Sequence, residues 1–135
     1  MTRRVSAPSG SPPPDKATLP DRAPVALEPL ARESWPLYLA AYPDEIERYG
    51  PAAEDWCVHD GKWLLAWAAG AERGDIDLDE QLRWLARVLD ARGFPLDRLA
   101  GYLEILGDVV EGSELGRDTS IADRLRGGTA VVLPA

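Results

Sequence analysis

Many small functional sites depend on cysteine and histidine, and the 135 residues of this sequence include only one of each. One cysteine excludes an internal disulfide framework. Together with one histidine it is too little for a zinc site of Cys and His ligands. The di-iron sites of helical bundles are excluded too, because they need a Glu-x-x-His motif on two helices. The sequence also has neither a Gly-x-Ser-x-Gly elbow nor a glycine-rich phosphate loop. We therefore expect no catalytic residues, no metal site and no cofactor.

Long apolar runs and an excess of basic charge are also lacking. No stretch reaches about 18 consecutive apolar residues, so we expect no membrane-spanning helix and no membrane partner. Arg3 and Arg4 are not followed by an apolar stretch of about 7 to 15 residues. We therefore expect no secretory signal and a cytoplasmic protein. The 15 Lys and Arg against 23 Asp and Glu give a net charge of −8, which argues against nucleic acid as a partner.

Proline and charge divide the chain into three parts. Seven of the 12 prolines lie before residue 30, and residues 6–15 are almost entirely Ser, Pro, Gly and Ala. Such a composition has little apolar surface to offset the entropy of ordering. Residues 1–29 are therefore predicted to be a disordered, proline-rich arm. Residues 30–111 carry a net charge of −9 and are predicted to be the helical domain, followed by a short helix and C-terminal tail over 112–135.

The helical domain reads as an all-α fold, a small bundle of about four main helices punctuated by proline and glycine. Ser34 resembles an N-cap for a first helix, and Gly74 resembles the stop of a long one in which Gly61 marks a candidate break. Asp77 and Glu80 resemble a capping box. The expected helices cover 34–42, 43–50, 51–73, 78–92 and 95–111.

The last two of these helices have the clearest apolar periodicity. Four leucines spaced by four, three and four residues lie on one face of the helix over 78–92. Five apolar residues with similar spacing form a seam over 95–111. Only two residues separate the helices, which predicts an antiparallel hairpin. The apolar tail over 130–133 is compatible with an edge strand, a docked tail or a loose end.

Tryptophans surround the only histidine on the helix over 51–73. Trp56, His59, Trp63 and Trp67 follow at steps of three, four and four residues, which places them near one stripe. A structural role for His59 in the core is the simpler interpretation. The alternative is an axial ligand or pH switch in a tryptophan-lined pocket for a small ligand of the tetrapyrrole type. Cys57 lies two residues from His59 and faces another direction, so the two cannot form a nucleophile–base pair.

Aromatic residues are concentrated between residues 35 and 84, which hold eight of the ten. Packing in the core is one explanation for this excess. The other is a ligand pocket or a partner surface, because tryptophan favours interfaces at which one edge stays in water. The residues predicted to form that surface are Trp35, Trp56, His59, Trp63 and Trp67.

Residues 53–110 resemble a known type of module. Cys57-x-His59-Asp60 leads into Leu64-Leu65-x-Trp67 and then a Gly-Asp pair, and Trp84-Leu85-x-x-Val88-Leu89-x-x-Arg92-Gly93-Phe94-Pro95 precedes a leucine-rich helix. This pattern is similar to helical regulatory segments that lie beside cobalamin-binding or globin-like stress-sensor domains in bacteria. The resemblance covers under half of the chain. It implies a stand-alone sensory or interaction module without enzymatic activity, because only 24 residues follow residue 111 and leave no room for a cobalamin-binding domain.

The sequence thus predicts a non-catalytic, soluble helical module that acts in regulation or protein–protein interaction. Its partner is expected to be another protein or a second copy of the chain. The alternative function is a small-ligand sensor with a tryptophan-lined pocket near His59.

Overall fold

The computed structural model describes residues 12–134. Helices take up 68% of these residues, which confirms the predicted all-α class. The helices are α1 (Glu28–Ala41), α2 (Glu45–Tyr49), α3 (Ala53–Arg73), α4 (Leu78–Ala91), α5 (Leu96–Glu111), α6 (Ile121–Gly127) and α7 (Thr129–Val132), with one 3₁₀ turn over Gly50–Ala52. Four of them, α1, α3, α4 and α5, have 14 residues or more and form the body of the bundle.

The prediction of a disordered arm over residues 1–29 is wrong for residues 12–29, which form ordered structure. Residues 1–11 lie outside the described residues. Strand β1 (Lys16–Ala17) pairs antiparallel with β2 (Val25–Ala26), with Lys16 opposite Ala26. Ala17, Leu19 and Leu27 are buried in the common core. These three apolar side chains anchor the segment, and a composition averaged over 29 residues conceals them.

Helix α1 begins six residues before the predicted N-cap. Pro29 occupies its first turn, where the missing N–H leaves no bond unmade. Ser34 is not a cap: it lies inside the helix, and its hydroxyl donates to the carbonyl of Ala31 at 2.6 Å. Pro36 also lies inside α1. The Ser-Trp-Pro pattern is typical of a helix start, but burial of the preceding residues Leu30 and Ala31 extends the helix toward the N-terminus.

Helix α3 runs unbroken through Gly61, where a break was a candidate. A Cβ atom at this position would lie 2.3 Å from the Tyr102 hydroxyl, so the glycine admits the close approach of α5. The helix ends as predicted at Gly74, whose φ of 84° is a left-handed conformation that glycine adopts without strain. Asp77 also caps α4 as predicted, and its carboxylate accepts the Glu80 N–H at 3.1 Å.

The core is built mainly from leucine and alanine. Helix α5 packs against α1, α4, α6 and α7, and α3 packs against α1, α4 and α6. The fully buried large side chains include Leu27, Leu64, Leu65, Leu82, Leu103, Leu106, Leu115, Ile121 and Leu125. At the C-terminal end, Val132 on α7 is buried, so the apolar tail is docked as one helical turn. Among residues 12–134, no helix combines the length and apolar character needed to cross a membrane.

Candidate functional site

The outer side of α3 and the start of α4 enclose a groove with a volume of about 410 Å³. Trp63 and Trp67 come from α3 and Trp84 from α4. All three side chains are partly buried. The ring centres of Trp63 and Trp67 are 5.8 Å apart, and those of Trp67 and Trp84 are 6.4 Å apart with the planes at 73°. We call this feature the tryptophan groove, defined by Asp60, Trp63, Trp67, Glu80, Trp84 and Arg87.

The three rings line the groove because each tryptophan lies next to the buried face of its helix. On α3 the residues facing the core include Leu64, Leu65 and Ala68, which places Trp63 and Trp67 at the border of the buried face. On α4, Trp84 precedes the buried Leu85 and lies beside the leucine seam. The two borders meet where α3 contacts α4. The groove is therefore a consequence of two amphipathic helices packing side by side.

Polar groups of both signs line the tryptophan groove. It contains the carboxylates of Asp60 and Glu80 and the guanidinium of Arg87. Within residues 12–134, neither carboxylate forms an ion pair with a lysine or arginine. Asp60 instead contacts Nδ1 of His59 at 3.2 Å. The groove thus combines aromatic surface with two carboxylates that have no Lys or Arg partner in the described part of the chain.

The structure separates the residues that were predicted to form one surface. Trp63 and Trp67 line the tryptophan groove, but Trp35 and Trp56 do not. Trp35 lies on α1, with its ring centre 6.5 Å from that of Tyr38. Trp56 lines a small cavity of about 60 Å³ together with Cys57 and Tyr102, and Asp60 and Leu85 line both this cavity and the groove. The structure thus brings Trp63 and Trp67 together in the groove and places Trp35 and Trp56 outside it, and the role of these residues as a binding surface stays a prediction.

His59 lies beside Trp56 and lines neither of these two cavities. The two ring centres are 5.7 Å apart in an edge-to-face arrangement. The side chain of His59 is only 8% exposed, and among the described residues its Nε2 has no hydrogen-bond partner. The contact of Nδ1 with Asp60 orients the imidazole. The histidine is thus a buried residue, one ring nitrogen of which has no partner within residues 12–134.

Trp84 belongs to the groove and was not among the predicted site residues. The sequence places it among the other aromatic residues but contains no pattern that joins it to α3, since the pairing of α3 with α4 is a tertiary contact. The available signal was its position next to the seam residue Leu85, which predicts a partly exposed ring. Glu80 was assigned to the capping box alone, although its side chain lines the groove.

Cys57 lies on the inner side of α3, in a closed network of polar groups. The Tyr102 hydroxyl donates to the backbone carbonyl of Cys57 at 2.8 Å and lies 2.9 Å from the Ser34 hydroxyl. Burial raises the pKa of the Cys57 thiol to about 12 and raises the pKa of Tyr102 well above its ordinary value. A thiol in this state is almost entirely protonated at neutral pH, and a protonated thiol is a poor nucleophile.

A second polar cluster attaches α2 to α5. The Arg98 guanidinium binds both carboxylate oxygens of Asp44, at 2.8 and 2.9 Å, and also binds the buried Glu45. The hydrogen bond from Arg98 lowers the pKa of Asp44. Within residues 12–134, no group of three or more His, Cys, Asp or Glu side chains has the arrangement of a metal site. The charged groups of this cluster therefore attach α2 to α5.

Comparison with protein-family models, curated proteins and solved structures finds no match for this chain. The resemblance to bacterial regulatory segments therefore stays a prediction, and function is argued from the geometry of the chain itself.

Proposed function

We propose that this helical domain is a non-catalytic module that binds another protein through the tryptophan groove. The observation that carries the proposal is the convergence of Trp63, Trp67 and Trp84 on one groove with their rings left partly exposed. Tryptophan is the residue most enriched among the side chains that dominate binding energy at protein interfaces. The groove has a volume of about 410 Å³, which is enough to receive a side chain of a partner.

The composition of the core supports this interpretation. Leucine and alanine supply most of the fully buried side chains, whereas Trp67 and Trp84 pack against that core from its border and stay partly exposed. Leaving apolar ring surface in water costs about 25 cal/mol per Å², and that cost is recovered when a partner covers the rings. Aromatic side chains at an exposed border are therefore typical of an interface.

The non-catalytic part of the proposal is supported by the state of the reactive groups. Cys57 is a buried thiol whose pKa is raised to about 12, and it contacts Ser34 and Tyr102 rather than a base. The imidazole of His59 is in contact with Asp60, yet no nucleophile is hydrogen-bonded to its other ring nitrogen in the described part of the chain. Nucleophilic catalysis needs both a nucleophile and a base within hydrogen-bonding distance.

Site-specific crosslinking tests the proposal. The photoreactive amino acid p-benzoylphenylalanine replaces Gln81 in the groove, and in a matched control it replaces Leu37, which is 48% exposed on α1. Illumination in cells of the source organism, followed by mass spectrometry, is expected to give one discrete protein adduct from position 81 and none from position 37. That adduct should disappear when Trp67→Ala is added. Equal labelling from both positions, or labelling that survives Trp67→Ala, contradicts the proposal.

Self-association is the competing outcome of the same experiment. The purified chain carrying the photoreactive residue at position 81 is expected to remain uncrosslinked and to elute as a monomer in size-exclusion chromatography with light scattering. A covalent dimer formed by the purified chain alone would mean that the groove binds a second copy, and the proposal of a different protein partner would then be rejected.

The second candidate is a small-ligand sensor of the tetrapyrrole type, and it has one observation in its favour. Nε2 of His59 has no partner among the described residues, while Asp60 orients the ring, which is the arrangement of a histidine that binds a metal centre. Against it, His59 lines neither of the two cavities that contain tryptophan. Titration with haemin distinguishes the two functions: a Soret band that appears with the purified chain and is lost in His59→Ala supports the sensor, and its absence removes it.

A further inference from the structure

The tryptophan groove has the chemistry of a site for a positively charged side chain. The electron-rich faces of tryptophan attract organic cations, and tryptophan does so more strongly than tyrosine or phenylalanine. Three tryptophans line this groove, and ring centres 5.8 and 6.4 Å apart place neighbouring rings within reach of one bound group. Aromatic surface alone would equally suit an apolar ligand, so the distinction rests on the charged residues of the groove.

Asp60 and Glu80 supply negative charge without a lysine or arginine partner of their own among residues 12–134. Asp108 and Glu111, by contrast, share the guanidinium of Arg126 at 2.7 and 2.9 Å and are neutralised by it. In the groove, Arg87 is the one basic side chain among the lining residues, which leaves a net charge of −1 there. The surrounding domain over 30–111 carries −9 and attracts a basic partner over a longer distance.

The size of the groove is a reason to expect a peptide. A volume of about 410 Å³ holds chain atoms on either side of a single charged group, whereas a small cation alone would leave most of the groove empty.

From these observations we infer that the groove binds an arginine or lysine side chain presented by a basic segment of a partner protein, held between the tryptophan rings and the carboxylates of Asp60 and Glu80. This inference rests on the proposed function and names the chemistry of the partner. The positive charge of Arg87 repels the bound arginine or lysine and limits the affinity of the groove for it.

Titration with short peptides tests the inference. Three capped glycine-rich pentapeptides carry arginine, lysine or citrulline at the centre; citrulline has nearly the shape of arginine but no charge. Binding is followed by the indole N–H resonances in ¹H–¹⁵N spectra of the full chain and, in parallel, of the variant Arg3→Gln/Arg4→Gln, in which the arginines of the chain's own N-terminus cannot compete. The arginine peptide is expected to shift the resonances of Trp63, Trp67 and Trp84 and to bind about ten-fold more tightly than the citrulline peptide.

Variants of the charged residues sharpen the result. Glu80→Gln is expected to weaken binding of the arginine peptide about five-fold, and Arg87→Gln is expected to strengthen it. Glu104→Gln on the exposed side of α5 is the matched control, since it removes the same charge away from the groove and is expected to leave the affinity unchanged. Raising the salt concentration from 20 to about 200 mM should weaken the arginine peptide more than the citrulline peptide.

Three outcomes overturn the inference. Equal binding of the arginine and citrulline peptides would mean that the groove does not recognise charge. An unchanged affinity in both Glu80→Gln and Arg87→Gln would mean that the cation binds elsewhere. Binding of tetramethylammonium as tight as that of the arginine peptide would identify a small-cation site. In each case, a specific crosslink from position 81 that Trp67→Ala abolishes would still support the proposed function. If that crosslink is absent as well, the proposed function and the inference are both rejected.

Discussion

The polar groups along the two sides of α3 differ in whether they have hydrogen-bond partners. On the inner side, the hydroxyls of Ser34 and Tyr102 and the backbone carbonyl of Cys57 form a buried network in which each group has a partner. On the outer side, the indole N–H of Trp63 has no acceptor within residues 12–134, and the neighbouring rings are partly exposed. A buried polar group without a partner costs about 1 to 3 kcal/mol. The paired polar groups of the inner side therefore stabilise the fold, whereas the indole N–H of Trp63 does not.

This difference separates structure from function within one helix. Residues that complete a closed network are constrained by packing, and changing them should lower the free energy of unfolding. Residues that are left open along a groove are free to serve a partner, and changing them should alter binding with little effect on the fold. Each of the following predictions tests whether that division between the two sides is sharp.

The largest loss of stability is expected from Tyr102→Ala on the inner side. The substitution removes a buried aromatic ring and the hydroxyl that donates to the Cys57 carbonyl and contacts Ser34, which should cost about 3 to 5 kcal/mol of unfolding free energy. Urea denaturation followed by circular dichroism measures it. Glu104→Ala, on the exposed side of the same helix, should change the value by less than about 0.5 kcal/mol. A loss below about 1 kcal/mol for Tyr102→Ala contradicts the structural role.

The next effect is expected from Gly61→Ala. The added methyl group would lie 2.3 Å from the Tyr102 hydroxyl and 3.2 Å from the side chain of Ala31, so helices must move apart. We expect a net loss of about 2 kcal/mol although alanine favours helix by about 1 kcal/mol. Thermal unfolding compares it with Gly127→Ala, where nothing lies within 4 Å of the new methyl group and stability should be unchanged or higher. Equal behaviour of the two variants would show that the close approach is not a constraint.

A smaller loss is expected from Ser34→Ala, about 1.5 kcal/mol. It removes the bond to the Ala31 carbonyl and one of the two contacts of the Tyr102 hydroxyl. A double-mutant cycle with Tyr102→Phe measures the coupling between the two side chains, which should be at least about 0.5 kcal/mol because their hydroxyl oxygens lie 2.9 Å apart. Strictly additive losses would mean that the network does not act as a unit.

Glu72, near the end of α3, gives a prediction about pH. Its carboxylate accepts hydrogen bonds from the Ser120 hydroxyl and from Arg124, and these bonds lower its pKa below the ordinary value of 4.5. Because the folded pKa is lowered, the stabilisation is present above about pH 4.5 and is lost as the pH falls through the folded pKa. Glu72→Gln should cost about 1 kcal/mol at pH 6, and the difference from the unsubstituted chain should shrink by pH 3. A difference in urea midpoint that is independent of pH would contradict this.

The smallest effect on stability is expected in the groove. Glu80→Gln retains the backbone N–H that Asp77 caps and should change the unfolding free energy by less than about 0.5 kcal/mol, while it weakens binding of the arginine peptide. The same urea denaturation measures the stability. A loss above about 1.5 kcal/mol would place Glu80 with the structural residues and break the division between the two sides of α3.

Local patterns in the sequence were sufficient for several elements. Leu78, Leu82, Leu85 and Leu89 predicted the buried face of α4, and Asp77 predicted its first residue, because caps and helical periodicity depend on neighbours within one turn. Gly74 predicted the end of α3 for the same reason. Where the reasoning used composition over a long segment, as for residues 12–29, it missed the three apolar side chains that hold the hairpin on the core.

The candidate site could be predicted only in part. Trp63 and Trp67 were found because they lie one helical turn apart on α3. Trp35 was joined to them on composition, and the structure separates it, since it lies on α1 beside Tyr38. Trp84 and Glu80 come from another helix, and no local pattern states which helix lies next to α3.

The sequence by itself determined the all-α class, the main helices from α3 onward and the absence of the residue sets that common catalytic and metal sites need. Those properties follow from composition and from spacing within a few residues. Only the tertiary structure decided which tryptophans meet, because the packing of α3 against α4 brings Trp84 to Trp67 and places two carboxylates beside the rings. It also decided that the Cys57 thiol is buried with a raised pKa and that Gly61 is a point of close contact with Tyr102 on α5.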